Sequence, residues 1–271
     1  MKVIPVPCLK DNYAYLLVDE KTGDAGVVDP SEAPPIEGAL KQAGARLIAI
    51  LNTHHHWDHT GGNKPLLAAH PTLKVYGHAS DRGRIEGQTE ALQHGQEFAL
   101  GSLHLRVLHN PGHTSGAVSY AVEDAVFTGD TMFAAGCGRL FEGTPEMMHA
   151  SLCRVIGSLP RPTRVFFGHE YTENNLRFAA AVEPDNAAVQ AKLARVLALR
   201  AAGGLTTPST LEEEWATNPF MRHDSPTLRK QVKAADPAND LSPVAVLGAV
   251  RKMKDNFGVG SGQLSSASLK A

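Results

Sequence analysis

The segment Thr53-His54-His55-His56-Trp57-Asp58-His59-Thr60-Gly61-Gly62 limits this chain most. It sets four potential ligands, His54, His56, Asp58 and His59, within six residues, directly after the apolar run RLIAILN. Such a run reads as a buried strand, and ligands released into the loop at its end can converge without disturbing a sheet. His54 and His56 are two apart, so in an extended segment their imidazoles point to one side and His55 points away. His55 therefore reads as a packing or supporting residue. Asp58 and His59 follow where Gly61 and Gly62 predict a turn, and can aim at a second, nearby point. Two metal ions fit this pattern better than one.

The same architecture recurs along the chain. LHNPGHTSG places His113, FTGDT places Asp130 and FFGHE places His169 just past an apolar run and beside a glycine, which lets the backbone come close to a site. Alone, Asp130 would read as a turn cap, His113 as a loop hydrogen bonder and His169 as a core histidine. Together, seven nitrogen and oxygen ligands at strand ends suit two first-row ions without a thiolate. Cys8, Cys137 and Cys153 are an odd number with no C-x-x-C spacing, and read as reduced thiols.

Short β-branched runs at 13–19, 25–30, 46–53, 73–78, 103–110, 117–124, 125–130 and 164–169 predict strands. Between them, helices are expected at Pro35 to Ala43, stopped by Gly44, and after Thr144, with Pro145 at the first helical position and Met148, Leu152, Val155 and Leu159 as the apolar stripe. After residue 172 strand signals disappear. DNAAVQAKLARVLALRAAGG reads as a helix stopped by Gly203 and Gly204, Thr210 to Glu213 as a capping box, and Ser225-Pro226 and Ser242-Pro243 as two further helix starts. An α/β (α+β) catalytic domain over 1–172, a helical domain over 173–257 and a Gly/Ser-rich flexible tail over 258–271 are the expected parts.

Lys and Arg number 26 against 28 Asp and Glu, so nothing suggests a polyanion-binding surface. No stretch approaches the ~18 apolar residues of a membrane span. The expectation is a cytoplasmic monomer with a small-molecule partner, and with neither nucleic acid nor membrane as partner.

The motifs H-x-H-x-D-H (54–59), G-H-T-S-G (112–116), T-G-D-T (128–131) and G-H-E-Y (168–171) resemble the metallo-β-lactamase superfamily. The resemblance implies an αββα sandwich of two mixed sheets, with His54, His56 and His113 on one metal, Asp58, His59 and His169 on the other, and Asp130 bridging. Together with G-C-G-R-L-F-E-G (136–143), T-N-P-F-M-R (217–222) and R-K-M-K-D-N-F (251–257), the pattern is similar to glyoxalase II, the hydroxyacylglutathione hydrolases, over nearly all of 1–257. That implies cleavage of the thioester of S-(2-hydroxyacyl)glutathione, typically S-D-lactoylglutathione, to D-lactate and glutathione in methylglyoxal detoxification. The reagent implied is a hydroxide held by two divalent ions, zinc or alternatively iron or manganese. The substrate residues implied are Arg139, Tyr171, Arg251 and Lys254.

The residues give the last pair some independent support. Val246, Val250, Met253 and Phe257 form an apolar stripe at helical spacing, and Arg251 and Lys254 lie along one edge of it, where two cations suit a ligand with two carboxylates. A solvated basic helix end is the competing reading. Some relatives carry Lys and Tyr where this chain has Arg139 and Phe141, and Phe141 supplies no hydroxyl. The main rival activity is that of a glutathione persulfide dioxygenase of the same fold with a single iron. A ribonuclease of this fold would need a basic surface, and a metal-stabilised binding module would need a closed four-ligand site.

Overall fold

A computed structural model describes residues 1–258. The expected tail therefore lies, beyond Gly258, outside the described residues. The first sheet contains β1 (Lys2–Cys8), β2 (Asn12–Val18), β3 (Asp24–Val28), β4 (Arg46–Leu51), β5 (Lys74–His78) and β6 (Glu90–Leu92), side by side in that order. The first two pairings are antiparallel and the remaining three parallel. The second sheet uses β7 (Glu97–Leu100), β8 (Leu103–His109), β9 (Val118–Val122), β10 (Ala125–Gly129), β13 (Arg164–Phe167) and β14 (Ser209–Thr210). In it β10 and β13 run parallel and the other neighbours antiparallel. A small hairpin of β11 (Met132–Phe133) and β12 (Gly136–Cys137) stands apart from both sheets.

Strand β2 shows why the sheets stack. Tyr13, Tyr15 and Leu17 point into the core between the sheets, with Val107, Tyr120, Phe127 and Phe167 of the second sheet. Ala14, Leu16 and Val18 point the other way, into a layer with Ile36, Leu40 and Leu66. Both faces of this strand are covered, so the period of two carries apolar residues on each. The outer layer consists of α1 (Ala33–Ala43) and α3 (Asn63–Ala69). On the far side, Val126 and Val165 of the second sheet meet Met148, Leu152, Phe178, Phe220, Val246 and Val250. The layers run helix, sheet, sheet, helix. Among the described residues, no helix is long and apolar enough to cross a membrane.

Local signals place the helix ends. Gly44 closes α1 in the left-handed region, at φ 62°. Thr144 accepts a hydrogen bond from Met147 N at the start of α4 (Pro145–His149), and Thr210 from Glu213 N at the start of α7 (Leu211–Thr217). Asn186 opens α6 (Ala187–Ala201), Ser225 opens α8 (Pro226–Ala235) and Ser242 opens α9 (Pro243–Asp255). The helix α5 (Thr172–Val182) lies ahead of them.

Two expectations are corrected. After α4 the backbone widens into a π-helical stretch at Ala150–Val155 and then a 3₁₀ turn at Ile156–Ser158. The wider turn moves the buried position from Val155 to Ile156, in line with Met148 and Leu152. Strand structure persists beyond residue 172, because Ser209 and Thr210 pair with Val165 and Arg164. The expected turn at Gly61 and Gly62 is present: it joins α2 (Trp57–Thr60) to α3, with both residues in the right-handed region at φ −60° and −80°. Glycine is required there because a Cβ would meet the carbonyl oxygens of Ser31 and Pro30 at 2.6 Å.

Candidate metal centre

All seven expected ligands stand at one edge of the sandwich, where β4, β8, β10 and β13 release their chains into loops. His54 Nε2 lies 3.1 Å from His56 Nδ1, which lies 3.0 Å from His113 Nε2. A second group brings His59 Nε2 within 3.2 Å of His169 Nε2, with Asp58 Oδ2 3.4 Å from His169 and 3.7 Å from His59. Each group has the spacing of a three-ligand metal site. Asp130 reaches both. Its carboxylate oxygens are 3.3 Å from His59 and His169 and 3.6 Å from His113. Asp130 Oδ1 is buried without a hydrogen-bond partner. A buried carboxylate oxygen with no donor, between converging imidazole nitrogens, fits a pair of cations.

The two groups differ in charge. Burial, reinforced by neighbouring imidazoles, holds His54 well below the usual histidine range and His56 at about 4, so both are neutral donors. Burial also opposes protonation of His59 and His169, but Asp130 outweighs it. Asp29 adds to the effect on His59, and Asp58 and Asp11 to that on His169; the two are pushed up to about 10 and about 11. The carboxylate field that holds protons there is the field that would hold a divalent ion.

Supporting residues aim the rings. Asp29 accepts from Thr53 N at 2.7 Å and meets His59 Nδ1 at 3.0 Å, Asp11 meets His169 Nδ1 at 2.9 Å, and the Arg139 carbonyl lies 2.8 Å from His113 Nδ1. Each such contact occupies the nitrogen facing away from the centre and leaves Nε2 free to coordinate. The Asn12 amide donates to the Asp58 carboxylate at 3.1 Å. Sequence reasoning did not single out Asp11, Asn12 or Asp29. Asp29 follows the apolar run AGVV, so the rule that located Asp130 would have located it too. His55 points away, as expected, to Asp81 at 3.5 Å and Glu142 at 3.6 Å.

Glycines let the loops interlock. A Cβ on Gly168 would collide with Asp130 Oδ1 and come 2.8 Å from His59 Cε1. Gly168→Ala is expected to displace Asp130 and lower kcat about 10- to 100-fold, the range for disturbing a ligand's support. Metal content measured with turnover tests this, and a fully active Ala variant sinks it.

The four expected substrate residues line one cavity of about 470 Å³ that opens onto His113 and Asp130. Tyr171 stacks on the His169 ring, centroids 4.8 Å apart and planes 4° from parallel. Burial, with the Asp11, Asp130 and Asp58 carboxylates, pushes its phenol above the usual range, so it remains a donor. Arg139 is largely exposed, and Phe141, 62% exposed, stands at the mouth beside His56 and His113. Arg251 and Lys254 are not a solvated helix end. Arg251 is 7% exposed, donates to the Cys137 carbonyl at 2.9 Å and to Asp255 at 2.9 Å, and lies over the Phe220 ring. Lys254 donates to the Asn174 carbonyl at 3.1 Å. A larger cleft of about 920 Å³, between α8, α9 and Pro145, carries none of these residues.

Fold and paired site together define a metallo-β-lactamase-superfamily hydrolase with a binuclear metal centre. The model of that superfamily matches residues 10–169, and the model described as the hydroxyacylglutathione hydrolase C-terminus matches residues 170–257. A hydroxyacylglutathione hydrolase of Synechococcus sp. (strain JA-3-3Ab) is 51% identical over 259 residues, covering 95% of this chain and 100% of that protein. The protein named cytoplasmic hydroxyacylglutathione hydrolase in Arabidopsis thaliana is 46% identical, covering 95% and 99%. The crystal structure of ETHE1 from Myxococcus xanthus superposes with a TM-score of 0.65 at 23% identity, over 99% of this chain and 96% of that one, a likeness of fold. The chain belongs to the hydroxyacylglutathione hydrolases, and it is a metal-dependent thioester hydrolase.

Proposed function

We propose that this chain hydrolyses S-D-lactoylglutathione to D-lactate and glutathione, with His54, His56 and His113 holding one ion, Asp58, His59 and His169 the other, and Asp130 shared. The observation that carries this reading is the Asp130 carboxylate lying within 3.6 Å of imidazoles from both groups. Zinc is the ion proposed, and the imidazole and carboxylate set also accepts iron or manganese. When bound, the pair supplies Lewis acidity and lowers the pKa of water.

The protein's own groups do the rest. Arg139, Tyr171, Arg251 and Lys254 hold the glutathione portion and so set the acyl carbonyl beside the metal-site loops. Lys254 and the buried Arg251 meet its carboxylates, while the Tyr171 phenol donates a hydrogen bond. A thiol of pKa ~8.5 leaves without a dedicated acid. Cys137 lines the same cavity, but burial pushes its thiol up to about 11, so it is no nucleophile. We also propose that residues 1–172 work as the catalytic unit and 173–257 as the substrate-binding unit of a cytoplasmic monomer.

Thioester cleavage followed together with oxygen consumption on the purified chain tests this reading. Free thiol released without oxygen uptake, and abolished by a chelator, is the expected result. Oxygen uptake with no thiol release would favour the persulfide dioxygenase chemistry. The second ligand group speaks against a single iron.

Burial, and then the neighbouring Arg251, lowers the Lys254 ammonium to about pKa 7. Its charged form is therefore present below about pH 7 and lost above it. A charge-assisted hydrogen bond contributes ~1.5–3 kcal/mol, so kcat/KM should fall about tenfold or more as pH rises through 7, with kcat little changed. Lys254→Met should remove that break in the profile, and an unaltered break would reject Lys254 as a substrate contact.

A further inference from the structure

A second cluster of ligand atoms shares no residue with the seven above and joins α4 and the π-helical stretch to the loop before α8. His149 ends α4, Cys153 sits four residues on within the π-helical stretch, and His223 lies in the loop between α7 and α8. One nitrogen from each histidine and the Cys153 sulfur all lie within 4.8 Å of one another. His149 is buried, and Cys153 and His223 are half-buried. His149 Nε2 and His223 Nδ1 are both shut off from solvent and have no hydrogen-bond partner. A buried polar atom left unpaired costs ~1–3 kcal/mol. Two such atoms in one cluster are accounted for together if both are ligands.

The surrounding backbone holds these groups in place. In a widened turn closed by i→i+5 bonds, residues four apart lie nearly one above the other, so the π stretch at Ala150–Val155 sets Cys153 over His149. His223 is framed by two anchors on one buried carboxylate. Arg222 donates to Glu183 at 2.9 Å, and Ser225 Oγ donates to it at 2.5 Å. The outward nitrogen of His223, Nε2, lies 3.4 Å from the Asp224 carboxylate. A carboxylate on that side leaves Nδ1, the nitrogen buried without a partner, as the one facing the cluster.

We propose that His149, Cys153 and His223 form a third metal site, a His₂Cys set for one zinc-class ion that ties the π stretch to the loop before α8. Imidazole with thiolate selects Zn²⁺ or Cu⁺ over the hard ions Mg²⁺ and Ca²⁺. Three protein ligands leave the fourth position of a tetrahedral zinc site to water. On binding, the Cys153 S–H bond breaks, its electron pair goes to the ion and one proton leaves to solvent; nothing is oxidised. Burial keeps the Cys153 thiol protonated, at about 12, and holds His149 below its usual range.

Cobalt substitution of the full chain tests the site, because the binuclear donor set is all nitrogen and oxygen. A thiolate-to-cobalt charge-transfer band in the near ultraviolet therefore needs a third site. The expected result is about three cobalt ions per chain, with the band and a rise in Tm saturating at the third equivalent. Cys153→Ser should lose the band, the third ion and that rise in Tm, while keeping two ions and thioester hydrolysis. No band at saturation, or a band retained in Cys153→Ser, would overturn the assignment, since either places cobalt elsewhere. The absorption and stoichiometry report on this site whether or not the glutathione reading holds.

Discussion

Asp130→Ala is expected to lower kcat/KM about a thousandfold or more and to reduce bound metal from two ions per chain to fewer than one. Asp130 follows Gly129, the last residue of β10, which turns the chain at φ 49° and delivers the carboxylate between the two ligand groups. Its oxygens are the anionic contact common to His59, His169 and His113. Removing it deprives both ions of a ligand and both groups of the charge that draws them, so the loss should exceed the 10- to 100-fold typical of an outer partner. Asp130→Asn keeps the shape and an oxygen donor and loses the charge, so it should retain part of the metal and fall between the two. Metal analysis beside turnover checks the result, with circular dichroism to show that the fold persists. An Asp130→Ala protein with two ions and normal turnover would refute the shared-ligand role.

The second large effect concerns stability. Glu214, fully buried on α7, meets the Lys192 ammonium at 2.8 Å and accepts hydrogen bonds from Ser209 Oγ at 2.6 Å, Ala135 N at 2.7 Å and Asn218 Nδ2 at 3.0 Å. Asn218 in turn donates to the Gly136 carbonyl at 3.0 Å. Removing one partner of a buried, hydrogen-bonded ion pair leaves an uncompensated charge and costs ~3–5 kcal/mol. Glu213, 3.2 Å from the Lys192 ammonium, still offsets part of its charge in Glu214→Ala, so the loss should fall at the lower end, about 3 kcal/mol, which denaturant unfolding will measure. Replacing both Lys192 and Glu214 by apolar residues of similar size should cost less than Glu214→Ala alone, because no charge is stranded. The opposite order would show that the hydrogen bonds to the hairpin, rather than the charge, dominate.

Much of the site was legible because ligands at strand ends leave a repeating mark: an apolar run, then Gly, then His or Asp. His113, Asp130 and His169 carry it in full, and His54 and His56 follow an apolar run without the glycine. Asp11 and Asn12 carry no such mark; they follow an exposed turn, and their roles exist only once β2 lies beside the loop after β13. Strand β1 was not recognised because Pro5 and Pro7 interrupt it. An edge strand tolerates that, since those positions need no ladder donor. The π stretch is illegible for a different reason: Met148, Leu152 and Ile156 satisfy a wider helical period as readily as Val155 satisfies the ordinary one. Arg251 and Lys254 were read as a basic edge of α9, and their contacts with Cys137, Asp255 and Asn174 depend on partners as far as 114 residues away in sequence.

The hairpin of β11 and β12 makes substrate exchange a question of grafting. It lies in the stretch of chain between Asp130 and His169, yet Glu214 on α7 and Asn218 at the end of that helix hold its backbone at Phe133, Ala135 and Gly136. A chimaera that kept residues 1–169 and took its helical part from a protein with a different thiol carrier would change what the cavity binds. It would keep hydrolysis only if the donor segment brought an equivalent of Glu214 and Asn218, because the wall of the host's pocket is fastened from the donor's side.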